Sequence, residues 1–150
     1  MRAVIQRVSY ASVSIDGQGK ARIENGLLIF LGIEETDTKE DGEWLSGKIS
    51  RLRIFRDKKG IMNLSLSEIK GETLVISQFT LHASTRKGNR PSYVRAARPG
   101  SAIPLYEQFI NQLSHDTSRE VKSGEFGAYM QVEMLNDGPV TIIIDTKNRE

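Results

Sequence analysis

The sequence predicts a single α/β domain, built on a mixed sheet with two main helices. Three observations predict it. Segments that alternate apolar and polar residues recur along the chain, as half-buried strands require. Two other segments gather apolar residues on one side at helical spacing. The run Leu27-Leu28-Ile29-Phe30-Leu31, between Gly26 and Gly32, is short and wholly apolar, which suits a strand buried on both faces. The chain has 150 residues, the length of one domain with a sizeable core, and no repeat or linker divides it.

The elements follow in order. Residues 2–8 read as a strand, with Val4, Gln6 and Val8 on one face and Ala3, Ile5 and Arg7 on the other. Ala11, Val13 and Ile15 alternate with serines and predict a second strand. Asp16-Gly17-Gln18-Gly19 is a turn, and residues 20–23 return as a third. Residues 36–53 predict a helix capped by Thr36 or Thr38, with Trp44, Leu45, Ile49 and Leu52 on its apolar side. Gly42 and Gly47 each weaken that helix by ~1 kcal/mol relative to alanine. Asp57-Lys58-Lys59-Gly60 is a turn, and residues 72–81 are a strong strand. Residues 104–113 predict the second helix, with Pro104 at its start and Leu105, Phe109 and Leu113 on one stripe. Residues 128–135 and 140–145 are strands, joined most simply as a hairpin through Asn136-Asp137-Gly138-Pro139.

Composition narrows the chemistry. Hydrophobic residues make up 38% and charged residues 27%, as in ordinary globular domains. There is no cysteine, which excludes disulfides, thiolate zinc sites and a cysteine nucleophile. Charges interrupt Met-Arg-Ala-Val-Ile-Gln-Arg-Val too early for a signal peptide, and no apolar run approaches the ~20 residues of a membrane span. A cytoplasmic protein without a membrane partner is expected. The net charge is only +2, yet no acidic residue lies between Thr73 and Tyr106, where Arg86, Lys87, Arg90, Arg95 and Arg98 fall. Such a segment is either a solvated basic loop or a contact for a polyanion.

Familiar catalytic patterns are missing. His82 and His115 stand apart, without a paired histidine or carboxylate at metal-ligand spacing, so neither metal nor cofactor is expected. There is no G-x-S-x-G elbow and no phosphate-binding glycine loop. In an extended strand Thr80 and His82 share a face and Ser77 points away, which excludes a Ser77–His82 pair. Ser77, Gln78 and Thr80 nonetheless stand where the strand 72–81 would carry more apolar residues. Either they reach water at the strand end, or they line a site. Gly138-Pro139 is the second anomaly: proline cannot donate to a sheet ladder, and base rates favour a trans bond in a hairpin turn.

Ser77-Gln78-Phe79-Thr80-Leu81 together with Asn136-Asp137-Gly138-Pro139-Val140-Thr141 resembles the D-aminoacyl-tRNA deacylase family. Ala3-Val4-Ile5-Gln6-Arg7-Val8, Leu52-Arg53-Ile54-Phe55, Met62-Asn63-Leu64, Gly88-Asn89-Arg90-Pro91-Ser92 and Gly124-Glu125-Phe126-Gly127-Ala128 extend the likeness over essentially the whole chain. The resemblance implies a largely antiparallel, twisted, barrel-like sheet and a homodimer with active sites at the subunit interface. It implies hydrolysis of the ester between a D-amino acid and the 3′-terminal adenosine of tRNA, with glycyl-tRNA(Ala) as a second substrate. Ser77, Gln78, Phe79 and Thr80 would form the catalytic strand end, with the Phe79 and Thr80 N–H groups as oxyanion donors. Water would attack, assisted by the ribose 2′-hydroxyl. Phe126, Gly127, Ala128 and Met130 would complete the pocket.

The resemblance further implies a cis Gly138-Pro139 bond, inserted into the partner's site to exclude L side chains and held in place by Arg7. Arg86, Lys87, Arg90, Arg95 and Arg98 would hold the acceptor end through its phosphates. Tyr129 stands where many members carry an acidic or apolar residue. Alternation puts it on the face opposite Met130, away from the chemistry.

Overall fold

A computed structural model describes residues 1–149. Its central strand is β1 (Arg2–Ile15), a single strand of 14 residues where the sequence suggests two. The first half of β1 pairs antiparallel with β3 (Gly26–Gly32), and its second half pairs with β2 (Gln18–Ile23). The short β4 (Phe55–Arg56) and β5 (Met62–Leu64) form a separate ribbon. β6 (Glu72–Ser77) runs parallel to β3, and β7 (Val121–Ser123) parallel to β6. The other edge of β1 is covered along its length by β8 (Met130–Asp145), antiparallel.

The sheet curls into a nearly closed barrel. A Cβ placed on Gly124, just after β7, would come 2.5 Å from the sulfur of Met130, which opens β8. β3 is buried on both faces, as its apolar run requires. Leu27, Ile29 and Leu31 join Ala3, Ile5 and Val75 beneath the helices. Leu28 joins Val8, Val13, Leu74 and Ile76 on the other face.

Helix α1 (Lys39–Ser50) starts after Thr38, whose N–H donates to the Asp41 carboxylate at 3.0 Å. Helix α2 (Pro99–Thr117) begins five residues before the expected start. Pro99 takes the first helical position, where a missing N–H costs nothing. Pro104 lies inside the helix instead of opening it. Ser118, at φ 53°, ends the helix, and the N–H groups of Ser118 and Arg119 close onto the carbonyls of His115 and Ser114. Leu45, Ile49, Phe109 and Leu113 bring both helices into one core.

Two differences from the sequence expectation shape the site. The strand 72–81 stops at Ser77. Gln78 makes the last ladder-like bond, to the Leu31 carbonyl at 2.8 Å, and Phe79–His82 then wind into one 3₁₀ turn. Facing arguments based on an extended chain therefore fail for Thr80 and His82. Second, the hairpin 128–145 is absent. Asn136 pairs with Val8 and Thr141 with Gln6, so five residue steps of β8 face two of β1. The excess bulges outward as Asp137, Gly138, Pro139 and Val140. The Gly138-Pro139 peptide bond is cis.

Candidate active site

The 3₁₀ turn after β6 and the segment before β8 enclose a cavity of about 250 Å³. Ser77, Gln78 and Phe79 form one wall, and Phe126, Gly127, Ala128 and Met130 form the other. The structure thus brings together seven residues singled out from the sequence. Leu31, Ile33, Ile76 and Val132 add apolar lining that sequence reading missed, because nothing separates them from ordinary core residues. Phe126 packs edge-on against Tyr106, with ring centroids 5.6 Å apart. The Tyr106 hydroxyl donates to the Val75 carbonyl at 3.0 Å, and burial pushes its pKa up to about 12. It is a neutral prop for the wall.

Tyr129 corrects the sequence reading. It lines the cavity beside Met130 and is 83% exposed, at the mouth. Strand alternation does not govern it, because β8 begins only at Met130.

Thr80 does not line the cavity. Its hydroxyl is instead held by the Gln78 side-chain amide. Among the described residues no carboxylate or imidazole bonds that hydroxyl, so nothing there activates it as a nucleophile. His82 is buried, and among the described residues neither ring nitrogen has a hydrogen-bond partner. Among the described residues, the N–H groups of Phe79 and Thr80 also donate to no acceptor. They open the 3₁₀ turn, where N–H groups have no partner within the turn. Phe79 is 57% exposed and stacks edge-on against Tyr93, with centroids 5.0 Å apart. Among the described residues no three His, Asp or Glu side chains are grouped to hold a metal ion.

Gly138 and Pro139 lie elsewhere, in the β8 bulge, and line no part of this cavity. Arg7 supports them from beneath. It is buried, and its guanidinium donates to the Ile54 carbonyl and, at 2.9 Å, to the Asp137 carbonyl. The Asp137 carboxylate lies 3.3 Å from the Arg7 Nε. Gly138 has φ 141°, and a Cβ there would meet Val140 Cγ2 at 2.8 Å and Arg7 Nη2 at 3.1 Å. Only glycine adopts this backbone without strain.

The basic segment is a loop joined to the site through the contact of Tyr93 with Phe79. Ser84 and Ser92 bridge it, and Arg86, Lys87 and Arg90 are exposed at its tip. Arg95 is tied to Glu34 at 2.8 Å, and that carboxylate raises its pKa further. Arg98 precedes α2, and its N–H is taken by Glu35. Of these five basic residues, Arg95 alone is ion-paired among the described residues; the side-chain charges of Arg86, Lys87, Arg90 and Arg98 are left without a carboxylate partner.

Comparison with known proteins gives a consistent result. The sequence profile of the D-Tyr-tRNA(Tyr) deacylase family matches residues 4–145. The chain is 65% identical to a D-aminoacyl-tRNA deacylase of Bacteroides fragilis over 150 residues, with both chains fully covered. A D-aminoacyl-tRNA deacylase of Flavobacterium johnsoniae is 55% identical with the same full coverage. Among solved structures, the c-Myc DNA unwinding element binding protein superposes with TM-score 0.90 at 40% identity, covering 97% of this chain and 98% of its own. A probable eukaryotic D-amino acid tRNA deacylase shares the fold at TM-score 0.82 and 16% identity, covering 95% and 97%.

Proposed function

The chain belongs to the D-aminoacyl-tRNA deacylase family, and from that premise we propose how this enzyme hydrolyses the ester of D-aminoacyl-tRNA. One observation carries the proposal: Phe79 lines a mostly apolar cavity, and among the described residues its N–H group and that of the adjoining Thr80 donate to no acceptor. The amino-acid side chain enters the cavity, and its ester carbonyl meets these donors. Water attacks the carbonyl carbon, and negative charge develops on the carbonyl oxygen. Two such donors, each contributing ~3–4 kcal/mol, offset most of that charge. The C–O3′ bond then breaks, and the attacking water's proton reaches the leaving 3′-oxygen through the ribose 2′-hydroxyl. Ser77 and Gln78 shape the wall, and Thr80 serves as the anchor for Gln78.

The protruding Gly138-Pro139 step supports a second part of the proposal. It lies outside the cavity of its own subunit, yet Arg7 and Asp137 hold the bulge that carries it. It projects from an edge strand whose Leu135 and Ile143 are 54% and 68% exposed. A second copy of the chain, seated on this edge, covers those apolar side chains and receives the step in its cavity mouth. There its carbonyls leave no room for an L side chain. Glycine has no side chain to reject, so glycyl-tRNA(Ala) is also a substrate. Arg86, Lys87 and Arg90 hold acceptor-end phosphates, with Arg98 beside them.

The test uses D-tyrosyl-tRNA and the Thr80→Ala variant. The wild-type chain shortens the life of the ester, whereas a pure RNA-binding module would lengthen it. Thr80→Ala keeps most of the rate, because the donor at this position is the backbone. Loss to background in a folded variant would restore Thr80 as a nucleophile and sink the water mechanism.

A further inference from the structure

The bulge in β8 has a neck, and one side chain closes it. β8 leaves the ladder with β1 at Asn136 and rejoins it at Thr141. Across that gap, Asn136 Oδ1 accepts the Val140 N–H at 2.9 Å. Its Nδ2 donates to the Val140 carbonyl at 3.3 Å and to Thr141 Oγ1 at 3.2 Å. The side-chain amide therefore satisfies both backbone groups of Val140, the work a neighbouring strand would otherwise do. The Val140 N–H requires an acceptor, which fixes the orientation of the amide. Thr141 is in turn tied to β1, because Gln6 Nε2 donates to its hydroxyl at 3.3 Å.

We propose that Asn136 is a positioning residue for chiral selection: its amide clasps Val140 and thereby fixes how far Gly138 and Pro139 reach. The inference rests on the reading of the Gly138-Pro139 step as the L-rejecting element. Arg7 grips the outgoing side of the bulge through Asp137, and Asn136 grips the returning side through Val140. Arg7 alone leaves the returning side free to swing. A filter that rejects by lack of room needs both sides fixed, since an L side chain gains entry once the step draws back. Asparagine fits the neck for a chemical reason. Aspartate at this length offers acceptors only, and alanine offers neither group.

The experiment measures single-turnover hydrolysis of D- and L-tyrosyl-tRNA by wild type, Asn136→Ala, Asn136→Asp and Gly138→Ala, with thermal unfolding of each. For Asn136→Ala, L-hydrolysis is expected to rise on the order of ten-fold while the D-rate stays within about two-fold, so the D/L ratio collapses. Asn136→Asp keeps the acceptor for the Val140 N–H and recovers part of the ratio. It also keeps the test alive if Asn136→Ala does not fold. A normal D/L ratio in both Asn136 variants, with Gly138→Ala altered, overturns the role of Asn136 and leaves the filter standing. A normal ratio in all three overturns the filter itself. Equal losses of D- and L-rates, tracking lower thermal stability, would make Asn136 merely structural and also overturn the proposal.

Discussion

Gly32→Ala is expected to impair turnover through the position of the oxyanion donors. Gly32 ends β3 directly beneath the 3₁₀ turn. A Cβ there would lie 2.9 Å from the Gln78 carbonyl oxygen, 3.0 Å from Leu81 Cβ and 3.1 Å from His82 Cδ2. The first contact is backbone, so it cannot be relieved by a side-chain rotation. Restoring ordinary contact requires the turn to lift by roughly half an ångström. A 1 Å misplacement costs on the order of 10²-fold in rate, so half that distance predicts about ten-fold. Overpacking should also lower stability by about 2 kcal/mol, roughly 4–8 °C in Tm. The assay is steady-state deacylation of D-tyrosyl-tRNA across substrate concentrations. A ten-fold lower kcat is expected with a smaller change in KM, because the opposite wall of the cavity and the exposed tip of the basic loop are untouched. Gly19→Ala, where nothing lies within 4 Å of the new Cβ, is the control and should match wild type. Undiminished kcat in a Gly32→Ala protein with lowered Tm would refute the claim that this turn positions the donors.

Other consequences can be checked directly. Burial acts to raise the Asp41 pKa, but hydrogen bonds from Lys147, the Thr38 N–H and Thr146 outweigh it and bring it down to about 2. A folded pKa below the unfolded value of ~3.9 stabilises the fold above about pH 4, and that stabilisation fades as pH falls toward 2. Lys147→Met should therefore lower Tm at pH 7, with the gap to wild type closing below about pH 3; a gap independent of pH would contradict this. Replacing Arg86, Lys87 and Arg90 together with alanine should raise KM and flatten its salt dependence by about 2 log units per log unit of salt, at ~0.7 per charge on single-stranded RNA. An unchanged slope would remove the loop from the tRNA contact.

Much of the fold was legible because burial leaves a regular trace. The run inside Gly26–Gly32 reads as a two-faced strand because neighbours press on both sides. The half-buried alternation of β1 is equally plain, although its continuity through Ser9 and Tyr10 is not. The failures have local causes. Asn136-Asp137-Gly138-Pro139 has the composition of a turn, yet β1 is long enough to pair on both sides of it, so the chain bulges and continues. Proline marks a helix start, but two prolines compete, and Pro99 holds the true first position. The polar residues Ser77 and Gln78 line the cavity and Thr80 does not, and the turn that presents them was invisible to a period of two. Tyr129 was misplaced for the same reason. Residue reading found the polar strand end and the basic loop; the D-amino-acid chemistry came from family likeness and not from periodicity or charge. The neck at Asn136 left no sequence signal beyond a turn-forming residue, because its partners lie four and five positions ahead across a bulge.

The most direct test of the account is hydrolysis of matched D- and L-tyrosyl-tRNA by the purified chain under single-turnover conditions. The account predicts rapid loss of the D-ester and an L-ester that decays no faster than in buffer. Equal hydrolysis of the two esters, or protection of the D-ester, would contradict it.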